Sequence, residues 1–345
     1  MKTPLDTIVN PLLAWYDTAK RDLPWRGNPT PYEVWVSEIM LQQTRVEAVR
    51  EYYLRWMATL PTVEDLDKAD LDTVRKLWEG LGYYSRMRHL KEAAAIIVRD
   101  YRGQLPQDPA KLAALPGIGE YTAGAICSIA FGLPTPAVDG NVLRVLARIW
   151  ADETDILTPS ARSQATSALA RIMPRDRAGD FTQAMFELGA LVCLPKEPKC
   201  DLCPVRDLCQ AYREGRQRDL PVRIVKTKRK MVDLTVLVLT DGERYALTPA
   251  KEEGLLAGMY GLPTVEGKLP LCEVEGAVRA LGVIPRMIEE LPEGKHVFTH
   301  VTWRMIGYRC AVDRLPEGCV PATAEEVAST YALPTAFGGY KKWIN

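Results

Sequence analysis

Leu115-Pro116-Gly117-Ile118-Gly119-Glu120-Tyr121-Thr122-Ala123-Gly124-Ala125-Ile126 sets a glycine-rich turn between two stretches of helical periodicity. Glycines at 117 and 119 free the turn from Cβ restrictions and let backbone N–H groups face outward at the start of the next helix, where a phosphate is favoured. The same G-x-G pattern also serves as a plain tight turn, and on this segment alone both readings stand. No strand-like run precedes it, which disfavours a dinucleotide site. A phosphate held here would belong to a nucleotide or to a DNA backbone.

Working outward, residues 8 to about 212 keep a helical period. From Ser37 to Met57 apolar side chains recur three or four apart, with no strand-like alternation. Pro and Gly punctuate this half at Leu23-Pro24, Pro29 to Pro31, Leu60-Pro61, Gly80 to Gly82, Leu105-Pro106, Pro134 to Pro136 and Pro174. That spacing predicts about ten helices with short connections. After Lys230 the texture changes. Met231 to Thr248 reads as two β-rich runs about the turn Asp241-Gly242-Glu243, a Gly-rich segment follows, and Leu271 to Ala280 reads as a helix. His296 to Val312 is strand-like and the chain ends on a helical pattern. The expected organisation is multidomain: an all-α region over 1–212, a basic interdomain linker over 213–230, and an α+β domain over 231–345. The linker carries eight Lys and Arg from Arg213 to Lys230 against Glu214 and Asp219, a run that also suits an ordinary solvated face.

A chain of 345 residues with 47% hydrophobic and 26% charged residues can bury about two domain cores, which excludes disordered and fibrous classes. With 44 Lys and Arg against 44 Asp and Glu, it is not uniformly basic. No apolar run approaches the roughly eighteen residues of a membrane span. The N-terminal stretch, with Asp6 and Asp17 about a broken apolar run, lacks the pattern of a secretory signal, so the expected location is the cytoplasm. The lack of a mitochondrial-type leader suits a bacterium, with the protein at the nucleoid.

Three motifs carry chemistry. Asp139, in Pro136-Ala137-Val138-Asp139-Gly140-Asn141-Val142-Leu143-Arg144, precedes a strongly periodic helix; either Asp139 or Asn141 reads as its cap, worth about 1 kcal/mol, a role compatible with catalysis by Asp139. Glu38 reads either as the acidic residue of a first helical turn beside Ser37 or, if it points inward among its apolar neighbours, as a carboxyl of raised pKa fit for a general acid. Cys193, Cys200, Cys203 and Cys209 form Cys-x6-Cys-x2-Cys-x5-Cys, crowding that favours a metal centre over disulfides in a chain of this size. Structural zinc usually takes two separated close pairs, whereas one compact run with a long first gap suits a cubane iron–sulfur cluster better; both metals remain open on spacing. Cys127, Cys272, Cys310 and Cys319 lack ligand spacing and are expected to be buried apolar residues.

Together these segments resemble the helix-hairpin-helix base-excision glycosylases related to endonuclease III, and within them the adenine DNA glycosylases of the MutY type. LPGIGEYTAGAI resembles the hairpin, VDGNVLRVLAR the segment with the catalytic Asp, SEIMLQQT the helix with the catalytic Glu, and the four cysteines the [4Fe–4S] loop. Residues 231–345 resemble the Nudix-like domain that recognises 8-oxoguanine in this family. The resemblance implies a monomeric enzyme on double-stranded DNA that flips and excises adenine mispaired with 8-oxoguanine or guanine. Glu38 would protonate the base and then serve as base for water, Asp139 would stabilise the oxocarbenium ion, and Tyr121 and Asn141 would position the sugar and the carboxylates. Arg26 and Gln183 match positions at the adenine edge. Gln43, Thr44, Leu81 and Tyr83 match residues that enter the base stack or touch the lesion, and Gly117 and Gly119 the DNA-backbone turn; Arg86 and Arg88 are then expected at phosphates. Phe298-Thr299-His300 stands where the family usually has Phe-Ser-His, the lesion probe. Gly254 to Pro263 resembles the family's GLLAGLWEFP, with Tyr260-Gly261-Leu262 in place of Trp-Glu-Phe. No Nudix catalytic box is present, so no pyrophosphatase is expected.

Tyr121 stands where bifunctional relatives carry a nucleophilic Lys, so a monofunctional glycosylase with little strand cleavage is expected. The rivals are a thymine or uracil glycosylase acting on G mispairs, a lyase of the endonuclease III kind, and a mispair binder in which Glu38 is idle.

Overall fold

The computed structural model describes residues 4–224, 229–251 and 254–345. Two compact units divide the chain, one of 1–67 with 92–225 and one of 68–91 with 226–345. The division therefore differs from the contiguous one expected from the sequence, since 68–91 group with the C-terminal half. Side-chain bonding explains why. Arg75 Nε donates to the Gly258 carbonyl at 2.6 Å, the Tyr260 hydroxyl donates to the Asp72 carboxylate at 3.0 Å, and Glu79 accepts from Leu333 N at 3.1 Å and Lys341 Nζ at 2.8 Å.

The first unit is helical, and each helix that carries the site starts on a local signal. Thr30 and Glu33 form a capping box ahead of the helix Pro31–Leu41, with Pro31 in its first turn. Asp139 caps Gly140–Trp150, accepting from Val142 N at 2.7 Å. The glycine-rich turn joins Pro109–Ala113 to Glu120–Ala125, Gly117 taking φ +74° and Gly119 standing as the N-cap. Gly124 has to be glycine: an added Cβ would sit 2.1 Å from the Pro136 carbonyl oxygen, on the segment that leads into Asp139. Two helices change pitch beside the site, Glu120–Ala125 into a π turn at Ile126–Ala130 and Ala178–Glu187 into one at Leu188–Val192. Leu12, Tyr16, Val142, Leu146, Phe181 and Met185 pack into the core that holds these helices together.

Of the basic run, Arg213 donates to the Asp207 carbonyl, Arg216 pairs with Glu153, and Arg218 pairs with Glu197 at 2.9 Å. Ile156 N also donates to the Val222 carbonyl at 3.1 Å. The segment through 222 is thus bonded to the helical unit rather than a free tether, while Lys226 and Lys228 lie outside the described residues.

The second unit is built on a six-stranded mixed sheet of β1 Lys230–Thr240, β2 Tyr245–Leu247, β3 Thr264–Glu266, β4 Pro285–Val297, β5 Val301–Val312 and β6 Val320–Ala322. Their order across the sheet is β4-β5-β1-β2-β6, with β3 also paired to β1. β1 and β5 run parallel. The apolar run of β1 is buried on both faces: Val236 and Val238 pack with Met305, Phe337 and Tyr340, whereas Leu237 and Leu239 pack with Val274, Val278 and Tyr308. The expected hairpin about 241–243 and the helix Leu271–Ala280 are both present. His296 to Val312 is not one strand, because the chain reverses between β4 and β5 and leaves Phe298-Thr299-His300 in the turn. Cys127 and Cys310 are buried as expected, but Cys272 is exposed.

Candidate active site

In the first unit one cavity of about 220 Å³ gathers Glu38, Tyr121, Asp139, Asn141, Arg26 and Gln183, with Thr44 also in its wall. That is smaller than the roughly 300–1,000 Å³ of sites for drug-sized ligands, and suits a single heterocycle. Gln43 does not line it; it is exposed, in a left-handed backbone conformation at the end of the Glu38 helix (φ +59°).

Glu38 lies near the C-terminal end of its helix, not in the first turn, because the capping signal is at Thr30 rather than Ser37. The Ser37 hydroxyl bonds back to the Val34 carbonyl. Glu38 is only 5% exposed. Burial pushes its carboxyl up to about 7; the hydrogen bond donated by the Tyr121 hydroxyl and the nearby Arg26 cation pull down, while Asp139 pushes up. Burial also raises Asp139, but there the Val142 N–H, the Asn141 amide at 2.8 Å and the charge of Arg144 oppose it. Burial, followed by the two carboxylates, holds the Tyr121 phenol well above its ordinary value, so it remains a donor.

Sequence reading missed the charged groups that orient this cavity. Glu187, 1% exposed, accepts from Arg21 at 2.7 and 3.0 Å and from Arg26 Nη2 at 2.6 Å. Burial alone would raise its carboxyl, yet these hydrogen bonds hold it below the usual carboxylate range. The Arg26 guanidinium is thereby fixed beside Glu38, Nη1 donating to the Arg21 carbonyl at 2.9 Å. The missed signal was spacing: Glu187 stands four residues after Gln183 on one helix, hence on the same face.

Asn141, Arg144 and Arg148 share a second such face. Arg144 donates to Asn141 Oδ1 and to the Cys193 and Gly189 carbonyls, each at 2.8 Å. Arg148, 2% exposed, donates to the Leu194 and Pro195 carbonyls at 2.7 and 2.8 Å and to Cys193 Sγ at 3.2 Å. The cysteine loop is thus bonded to the helix that Asp139 caps. Cys193, Cys200, Cys203 and Cys209 line a common small cavity with Arg148 and Arg206. Among the described residues no three His, Cys, Asp or Glu side chains are grouped as ligands of a single ion. Four thiols about one small cavity, with guanidinium groups beside them, are a donor set of the kind that an anionic centre held by thiolates takes.

In the second unit Tyr83 and Thr299 come together, their hydroxyls 2.9 Å apart. Tyr83 is 47% exposed, whereas Leu81, expected beside it in the base stack, is buried beneath the same loop. Phe298 is held edge-on between His296 and Trp303, with centroids 4.5 and 4.9 Å away, and Thr299 and His300 are exposed at the turn. Arg86, expected at a phosphate, is turned inward instead. It is 7% exposed and its guanidinium is spent on loop carbonyls, so it does not stand ready for a phosphate.

A hairpin turn, a capped aspartate and a buried glutamate about one heterocycle-sized cavity define a helix-hairpin-helix base-excision protein. In agreement, the model of the HhH-GPD superfamily of base excision DNA repair proteins matches residues 36–173. The chain is 37% identical to the adenine DNA glycosylase of Mus musculus, over 91% of this chain and 72% of that protein. It is 36% identical to the adenine DNA glycosylase of Buchnera aphidicola subsp. Baizongia pistaciae, over 84% of this chain and 82% of that one. A solved thermostable thymine-DNA glycosylase superposes with a TM-score of 0.55 at 28% identity, covering 60% of this chain and 96% of its own. The chain belongs to the adenine DNA glycosylase family. It is accordingly a DNA N-glycosylase of base excision repair that acts on adenine, with DNA as its substrate. Among the described residues no helix is long and apolar enough to cross a membrane.

Proposed function

We propose that the cavity receives an adenine flipped from a duplex in which it is mispaired with 8-oxoguanine or guanine, and that the N-glycosidic bond is hydrolysed there. The observation that carries this is Glu38: buried, bonded to Tyr121, raised to about 7, and facing the same cavity as Asp139. A carboxyl so poised delivers a proton to the departing base near neutral pH and afterwards accepts one from water. Asp139, supplied with donors by Val142 and Asn141, keeps its negative charge more readily and offsets the positive charge that develops on the sugar. Arg26 and Gln183 meet the edge of the adenine. The hydroxyl of Tyr121 cannot form a Schiff base, so the product is an intact abasic strand.

The turn at Gly117 and Gly119 carries the DNA backbone. The sheet unit is read as Nudix-like, with Tyr83, Phe298, Thr299 and His300 meeting the mispair partner while Leu81 supports Tyr83 from beneath. Cys193, Cys200, Cys203 and Cys209 would hold a [4Fe–4S] cluster, which when bound ties the loop together and leaves Lys196 and Lys199 facing outward. The acting species is a monomer. Cys200→Ser is expected to lose iron and DNA affinity together.

The decisive test is single-turnover adenine release from an A:8-oxoguanine duplex by wild type and Glu38→Gln, with the strand analysed before and after alkali. Release by wild type alone, with breaks only after alkali, is the expected result. No release from DNA that wild type binds would overturn the assignment and turn attention to T:G and U:G duplexes.

A further inference from the structure

The loop that carries Tyr83 bends in an unusual way. Gly82 and Tyr83 take φ values of +71° and +49° in succession. Tyrosine rarely adopts that left-handed conformation unless its surroundings hold it there. The bend turns the carbonyls of Leu81, Gly82 and Tyr83 toward one point, and Arg86 occupies it. Its Nη2 donates to Gly82 O at 3.0 Å and lies 3.4 Å from Leu81 O, and its Nε lies 3.4 Å from Tyr83 O. Trp78 Nε1 adds a bond to Gly82 O at 3.2 Å. The guanidinium also lies against both aromatic rings, its carbon 5.2 Å from the centroid of Trp78 and 5.4 Å from that of Tyr83. Burial lowers Arg86 to about 10, which still leaves it cationic at neutral pH. The far end of Tyr83 then meets Thr299.

We propose that Arg86 is a positioning residue for mispair recognition: by tying the carbonyls of 81–83 together and backing the ring of Tyr83, it presents the Tyr83–Thr299 pair to the base opposite the adenine. This rests on the reading above, in which that pair meets the mispair partner. A planar fork of five N–H donors is what the arrangement needs; the point-like ammonium of lysine keeps the charge but cannot serve three carbonyls and two rings at once.

The test is the ratio of single-turnover adenine release from A:8-oxoguanine and A:G duplexes, measured for wild type, Arg86→Lys, Tyr83→Ala and the double variant. Arg86→Lys is expected to lower the ratio about five- to tenfold, and to lower it no further when Tyr83 is already alanine. A folded Arg86→Lys protein with the wild-type ratio overturns the proposal, and so does an additive loss in the double variant, because Arg86 would then act elsewhere. Should Arg86→Lys not fold, Trp78→Phe, which removes one donor to Gly82 O and keeps a ring, must lower the ratio in the same direction; an unchanged ratio overturns the proposal equally. A wild-type enzyme with no preference between the duplexes would instead refute the underlying reading of Tyr83 and Thr299.

Discussion

Glu38→Gln should make the protein more stable as it makes it inactive, and the gain should depend on pH in one direction. The wild-type carboxyl sits at about 7 when folded, against an ordinary value of 4.5. Between those values the folded chain keeps a proton that the unfolded chain has released, so stability falls as pH rises and the full penalty is present above about pH 7. At about 1.4 kcal/mol per pH unit, that displacement amounts to about 3 kcal/mol. Glutamine keeps an oxygen to accept from Tyr121 and carries no charge to desolvate. The variant should therefore match wild type near pH 4.5 and exceed it by about 3 kcal/mol above pH 7, or roughly 6 °C or more in melting temperature for a unit of this size. Thermal melts of both proteins from pH 4.5 to 8 test this. A difference that is constant across the range, or a variant less stable at pH 8, would refute the claim that Glu38 is held by desolvation.

Tyr121→Phe removes a donor that favours ionised Glu38, so the alkaline limb of the pH profile for adenine release should move up by about one pH unit. Glu187→Gln breaks the buried pairing to Arg21 and Arg26 and is expected to cost about 3 kcal/mol in denaturant unfolding while weakening adenine release. Tyr260→Phe keeps the ring against Tyr331 but loses the bond to Asp72. It should cost about 1 kcal/mol, read as earlier proteolysis of the 68–91 segment with little change in the melting of the helical unit.

What could be read in the sequence is what local rules fix. The Asp139 cap, the glycine turn and the helix Leu271–Ala280 each depend on residues a few positions apart. Glu38, Tyr121 and Asp139 were assembled beforehand only through resemblance, since nothing in their spacing places a helix ending at 41 against one starting at 120. The misreadings share a cause. Arg86 looked like a surface cation because a Tyr-Tyr-Ser-Arg string does not reveal that three carbonyls converge on it, and 68–91 looked like part of the helical region because the partners that claim it begin near residue 258. His296 to Val312 reads as continuous strand because the reversal at 298–300 contains neither Gly nor Pro.

Burial raises both carboxyls of the cavity, Glu38 buried and Asp139 partly so, and what sets them apart is their donors. Glu38 receives one hydrogen bond, from a phenol that itself cannot ionise, so desolvation dominates and the proton stays until about neutral pH. Asp139 receives a backbone N–H and an amide N–H, and that amide is oriented from behind by Arg144, which in turn holds the Cys193 carbonyl. The donors of the cap that starts a helix therefore oppose the upward push of burial on the Asp139 carboxyl, which is nonetheless raised. In the function proposed above, Glu38 with its single donor is the acid and Asp139 with its two donors is the stabilising carboxylate, the division of labour that glycosidic bond cleavage requires. The sequence achieves it by placing the aspartate at a helix N-terminus and the glutamate inside a helix, where the backbone has no N–H to offer.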